Sequence, residues 1–213
     1  MKILNNLLKI SLTGILVIML SACSNQKVKA QKTTTVKETS TSSVNPSENI
    51  NTLMRSLGIQ RFQKKIIAPN FELKNLNGKS VSLKDFRGKF ILLNFMATWC
   101  MWCRKEMPHL QKLHNRYKDK DFVIIAVFSD REGARAVKPF IKKTGYTFTE
   151  NSGTYNSALL DPTGRVTSQY RVTGTPTTYL IDKSGNAFAV AQGYRDWSNK
   201  ESFTLIENLI NLK

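Results

Sequence analysis

A chain of 213 residues, 41% of them hydrophobic, can bury one proper core plus extensions, so a single globular domain is the expectation. Lysine and arginine number 32 against 15 acidic residues, and the formal net charge of +17 favours anionic lipid head groups or acidic partners. Nucleic acid would suit the same charge. However, no finger, helix-turn-helix or RNA-binding signature is present and the positive residues are spread along the chain, so no nucleic-acid role is assigned.

Residues 1–22 carry Lys2 and Lys9, an apolar stretch from Ile10 to Leu20, and then small residues. The stretch is too short and too soon interrupted for a transmembrane span and reads as a secretory signal peptide. The junction Leu20-Ser21-Ala22-Cys23 resembles the lipobox of bacterial lipoproteins, which implies lipidation of Cys23 as the mature N-terminus. An uncleaved anchor, or an ordinary signal peptide with a stray thiol, is the alternative. Either way the domain lies outside the cytoplasm, facing the periplasm or the cell exterior.

Residues 23–49 are rich in Ser, Thr, Lys, Asn and Gln and form a disordered tether, with a reach of roughly 30 Å. Ile50, Leu53, Met54 and Leu57 then fall at helical spacing before Gly58, and residues 50–65 are assigned to a short N-terminal helix that packs on the domain. Two short strands, Ala68 to Leu73 and Lys79 to Leu83, flank Asn77-Gly78 as a hairpin. Lys89 to Met96 is apolar on both faces, as in a buried strand of a largely parallel sheet.

After the turn Ala97-Thr98-Trp99, the residues Cys103, Met107, Leu110, Leu113 and Tyr117 recur at helical spacing, with Arg104, Lys105, Gln111, Lys112 and Arg116 facing elsewhere. Phe122 to Phe128 is another buried strand and Ala134 to Lys143 another helix, ended near Gly145, so that a right-handed parallel βαβ unit is implied. Residues 146–157 are polar and unassigned. Leu159 to Gly164 reads as a strand end and turn, followed by a short helix through Tyr170. Thr177 to Asp182 and Ala187 to Ala191 pair as antiparallel strands across Lys183-Ser184-Gly185-Asn186. Ser198-Asn199-Lys200-Glu201 fits a capping box opening a last helix through Phe203, Ile206, Leu209 and Ile210.

Chemistry concentrates at Trp99-Cys100-Met101-Trp102-Cys103. Cys100 sits at the N-terminal cap of the helix, where unpaired N–H groups, the helix dipole, and the charges of Arg104 and Lys105 stabilise a thiolate. It is assigned as the attacking, solvent-facing sulfur, and Cys103, one turn inside, as the resolving one. With Cys23 lipidated, these two are the remaining cysteines of the three in the chain. A plain staple is the alternative, but so short a loop removes little entropy from the unfolded chain. A metal site is another, yet His114 lies about 16 Å and His109 about 9 Å along the helix from Cys103. Neither a metal nor another cofactor is assigned.

The segments APNFELKNLNGKSVSLKDFRGK, FILLNFMATWCMWCRKEMP, LLDPTG and GTPTTYLID resemble the TlpA/ResA branch of membrane-tethered thiol-disulfide oxidoreductases, within the thioredoxin superfamily. The resemblance implies an α/β thioredoxin-like fold over residues 66–213, a central mixed β-sheet flanked by helices, with an N-terminal β-hairpin extension. Residues 149–157 look like a small insertion. In that family the proline matching Pro176 is cis and faces the disulfide, which leaves Thr175 beside the sulfurs for strand-like pairing with substrate. Pro108 resembles the proline that kinks the active helix. Asn94 stands where thioredoxin itself carries a buried Asp.

Glu106 matches the branch's active-site acid. Three residues after Cys103, it is placed on the adjoining helix surface, where it could exchange a proton with the resolving thiol or be merely a solvated carboxylate. Trp99 and Trp102 form an apolar rim where substrate docks. Met101-Trp102 departs from the family, which more often has Pro before the second cysteine, and so leaves the direction of exchange open. The segment from Ala68 to Phe95 also resembles peroxiredoxins, but Leu93 and Ala97 occupy the places of the Pro and Thr of their Pro-x-x-x-Thr-x-x-Cys pattern.

The expected function is reduction of disulfides in exported proteins, with apocytochrome c or methionine sulfoxide reductase as possible clients by resemblance, and a membrane thiol electron donor. Oxidative folding by the same residues in reverse, or a non-enzymatic metal-binding lipoprotein, are the alternatives.

Overall fold

The structure is a computed structural model and describes residues 46–149 and 157–212. The signal peptide, the lipobox with Cys23, nearly all of the tether and most of the 149–157 insertion lie outside the described residues.

Strand β4 (Phe90–Met96) is buried along its whole length. It pairs in parallel with β5 (Phe122–Phe128), from Phe90 opposite Phe122 to Met96 opposite Phe128, and antiparallel with β7 (Thr177–Ile181). Its side chains alternate between two cores: Phe90, Leu92 and Met96 enter one, and Ile91, Leu93 and Phe95 the other. This is why the run is apolar on both faces.

The sheet continues through β6 (Ala158–Leu160), parallel to β5, to the hairpin β2 (Glu72–Asn75) and β3 (Ser80–Ser82). On the other side β7 pairs with β8 (Asn186–Gln192), and β8 with β1 (Gln60–Ile67). The order is β1-β8-β7-β4-β5-β6-β2-β3. One face of the sheet is covered by α1 (Pro46–Ser56), α2 (Met101–Tyr117), α3 (Ala134–Thr144) and α5 (Lys200–Ile210). The short α4 (Arg165–Gln169), the stretch from Ala68 to Phe71 and the turn from Leu83 to Phe86 cover the other.

The hairpin turns at Asn77-Gly78, as the sequence predicts. Gly78 has φ +79°, and the Asn75 carboxamide oxygen accepts from the backbone N–H groups of Asn77 and Lys79.

Two expectations are corrected. Residues 50–65 are not one helix: α1 ends at Ser56, Gly58 turns the chain at φ +63°, and Gln60 onward is an edge strand. The strand is held by backbone pairing to β8, and nearly all of its side chains are exposed, so it carries no apolar period to read. The last helix is capped by Asn199, whose side chain accepts from Ser202 N at 2.7 Å, and not by Ser198. Ser198 instead donates to Asp196.

Candidate active site

The site is built at the C-terminal ends of β4 and β5. Beyond Met96 the chain turns through Ala97-Thr98-Trp99, and the buried Asp130, just past the end of β5, accepts from both the backbone N–H and the hydroxyl of Thr98. Ser129 N also donates to Met96 O at 3.0 Å. These bonds hold the turn that delivers Cys100 to the N-cap of α2.

Cys100 Sγ accepts from Cys103 N at 3.1 Å, one of the amide groups that a helix start leaves unpaired. Cys100 and Cys103 are joined as a disulfide, with Cα atoms 5.3 Å apart. Cys103 is fully buried and Cys100 is 7% exposed, so the sulfur assigned as solvent-facing is the more accessible of the two but sits under cover. Part of that cover is the Thr175 carbonyl oxygen, 3.5 Å from Cys100 Sγ. The Thr175–Pro176 peptide bond is cis. Its loop is tied down by Thr177 Oγ1 donating to Gly174 O and by Gly193 N donating to Pro176 O. Around the sulfurs stand Trp99, Met101 and Trp102, exposed by 71%, 67% and 48%. Trp102 packs on the Tyr194 ring, and Lys105 Nζ lies 4.9 Å from the Trp102 ring centre.

Glu106 is not on the helix surface. It is fully buried, because the loop after β8 folds over this face of α2. Oε1 accepts from Trp197 Nε1 at 2.9 Å and from Arg195 N at 3.0 Å, and Oε2 accepts from Asn94 Nδ2 at 2.9 Å. Burial pushes its pKa up to about 7, against the opposing pull of these three donors and of the Arg195 charge. Asn94 also donates to Thr178 Oγ1, while its own carbonyl oxygen has no hydrogen-bond partner among the described residues.

Of the histidines, His114 is buried within α2 and its pKa is lowered by that burial. His109 is held by Tyr194, Ser198 and Asp196. Among the described residues no group of three or more His, Cys, Asp or Glu side chains is placed to hold a metal ion.

Residues 66–187 match the model of the AhpC/TSA family. The ResA thiol-disulfide oxidoreductase of Bacillus thuringiensis subsp. konkukian (strain 97-27) is 38% identical over 136 residues, 64% of this chain and 73% of the relative. The thioredoxin-like protein YneN of Bacillus subtilis (strain 168) is 39% identical over 132 residues, 62% of this chain and 71% of the relative. The crystal structure of the thioredoxin domain of a thiol-disulfide oxidoreductase from Bacteroides vulgatus superposes with a TM-score of 0.56 at 32% identity, covering 68% of this chain and 96% of that one. The chain belongs to the AhpC/TSA family, in its ResA-like branch. It is a thiol-disulfide oxidoreductase with a thioredoxin-like fold.

For this ResA-like oxidoreductase, the tertiary structure brings Trp99, Cys100, Trp102 and Thr175 together, with Cys103, Pro176 and Glu106 buried beneath them. Cys23 lies outside the described residues. Sequence reasoning missed Asp130, Thr178, Tyr194, Arg195 and Trp197. The available signal was Trp197, a large aromatic side chain in an otherwise polar turn between the last strand and the last helix. It is fully buried, and its ring N–H needs a partner there.

Proposed function

We propose that the chain is a membrane-tethered, extracytoplasmic reductase of disulfides in exported client proteins. The observation that carries this reading is the cysteine pair itself: Cys100 under the cis-proline loop and an exposed aromatic rim, and Cys103 buried in the same turn of helix that carries Glu106.

In the reduced chain, the Cys100 thiolate attacks one sulfur of a client disulfide. That S–S bond breaks, a Cys100–client mixed disulfide forms, and the client's leaving sulfur takes up a proton. The Glu106 carboxylate then accepts the proton of Cys103, whose thiolate attacks Cys100 Sγ and expels the client's second thiolate. Two electrons pass to the client, its second thiolate takes the proton that Glu106 holds, the first having been protonated from solvent, and the chain is left with the Cys100–Cys103 disulfide. A membrane thiol donor returns it to the dithiol.

Thr175 offers its backbone to the incoming client chain in strand-like pairing, and Trp99 and Trp102 provide the apolar docking rim. Lipidation of Cys23 supplies the tether, and the exported location follows from the signal peptide. Apocytochrome c and methionine sulfoxide reductase are candidate clients. A peroxidase role is disfavoured by Leu93 and Ala97, which offer no polar group to activate a peroxide.

The deciding experiment is the reduction potential of the Cys100–Cys103 couple in thiol buffers. A value below roughly −230 mV supports the reductase, and one near −180 mV or above assigns the same residues to oxidation or isomerisation. Cys103→Ser should trap a mixed disulfide between Cys100 and a client, and absence of any reversible couple would end the exchange reading altogether.

A further inference from the structure

Beside the cysteines, a groove runs between α2 and the C-terminal half of α3. Met101, Arg104 and Lys105 line its α2 wall, and Phe140, Thr144 and Tyr146 the other. Met101 follows Cys100 directly, and Arg104 and Lys105 are three and four residues further on, so one helical face carries an apolar contact and then two cations. Both cations are exposed, and neither forms an ion pair with a carboxylate among the described residues. Arg104 lies over the Phe140 ring at 6.0 Å and Lys105 over Trp102 at 4.9 Å, so aromatic walls hold the charges without neutralising them. Among the described residues no acidic side chain lines the groove.

We infer that this groove binds an acidic segment of the client protein next to the disulfide under attack, and so selects substrates by charge. The inference rests on the proposed function and names a preference within it. From Cys100 to Lys105, the far end of the α2 wall, is about 7.5 Å of helix, which an extended client chain spans in about two to three residues. The acids that matter therefore lie two to four residues from the attacked cysteine. An apolar side chain between them would rest on Met101.

The test uses the full-length chain, pre-reduced, in single-turnover reactions. Two disulfide-bridged peptides differ only in carrying Asp or Lys at the positions two to four residues from the cysteine. Hydroxyethyl disulfide, small and uncharged, serves as a probe that does not reach the groove. The Asp peptide should react about tenfold faster at low salt, with the gap falling to about twofold at 0.5 M salt. Thr144→Glu, and independently Tyr146→Glu in the loop that follows, should slow the Asp peptide about threefold and leave hydroxyethyl disulfide unchanged. Equal rates for the two peptides, or a gap that neither salt nor the two variants move, would overturn the groove as the recognition site. Failure to reduce hydroxyethyl disulfide as well would strike the proposed function itself, a separate outcome.

Discussion

Glu106 is a carboxyl group kept from water, with three donors turned toward it and a pKa near 7. Desolvation dominates because no cation bonds the carboxylate: its partners are an indole, an amide side chain and a backbone N–H. The pKa rises from 4.5 in the unfolded chain to about 7 in the folded one, so the native state holds a proton that the unfolded state has released between those values. Stability from this group is therefore fully present below pH 4.5 and declines as pH rises through 7, by about 3 kcal/mol in all. Urea unfolding of the oxidised chain and of Glu106→Gln across that window should show the wild type losing stability relative to the variant by about this amount. A constant difference would mean that Glu106 does not titrate there. Trp197→Phe removes a bond that favours the charged form and should raise the pKa further, by about one unit. If Glu106 takes the proton of Cys103, the pH profile of mixed-disulfide resolution should shift upward equally, which a purely structural tryptophan would not cause.

At the scale of elements, the fold depends on the two-faced strand β4 and on one latch. Leu93 is fully buried in the core opposite α2, and Leu93→Ala should cost about 2–5 kcal/mol in denaturant unfolding while leaving the cysteine pair's surroundings in place. The latch joins the loop after β8 to the end of α1: Arg195 Nη2 donates to Gly58 O at 2.8 Å, and the same arginine's backbone N–H bonds Glu106. Gly58 has φ +63°, and a Cβ there would sit 3.2 Å from Arg195 Nη2. Gly58→Ala should therefore destabilise by about 1–2 kcal/mol through backbone strain, with a further cost wherever the guanidinium cannot shift. Thermal unfolding checks the first part, and a changed Glu106 pKa would report the second. Elements with an apolar period were legible in the chain: β4, α2, β5 and α3 lie within a residue or two of where the pattern put them. Strand β1 was not, since its stability lies in hydrogen bonds to a strand more than a hundred residues later.

Across the whole molecule, the site is assembled from distant stretches of chain. Cys100 meets Thr175 across 75 residues, Thr98 meets Asp130 across 32, and Glu106 meets Trp197 across 91. The C-terminal segment therefore serves both core and site: α5 buries Leu205, Ile206, Leu209 and Ile210, and the turn before it carries Arg195 and Trp197. A chain ending at Gln192 should lose its cooperative calorimetric transition, because the α2 face of the sheet would be left partly uncovered. Survival of a sharp transition would show that α1 to α3 suffice as a core.

The amino-acid sequence by itself determined the sheet's central strands, the hairpin and the cysteine pair at a helix N-cap, whereas the cis state of Pro176 was implied only by family resemblance and is seen in the structure. The strands, the hairpin and the cysteine pair rest on local rules of apolar period, turn chemistry and spacing that neighbouring residues carry. The tertiary structure alone decided that Glu106 is buried instead of solvated, that Asp130 braces the active-site turn, and that residues 60–67 form a strand. Each of these depends on which distant surface closes over a residue, and a carboxylate's pKa or an edge strand's pairing is set by that enclosure.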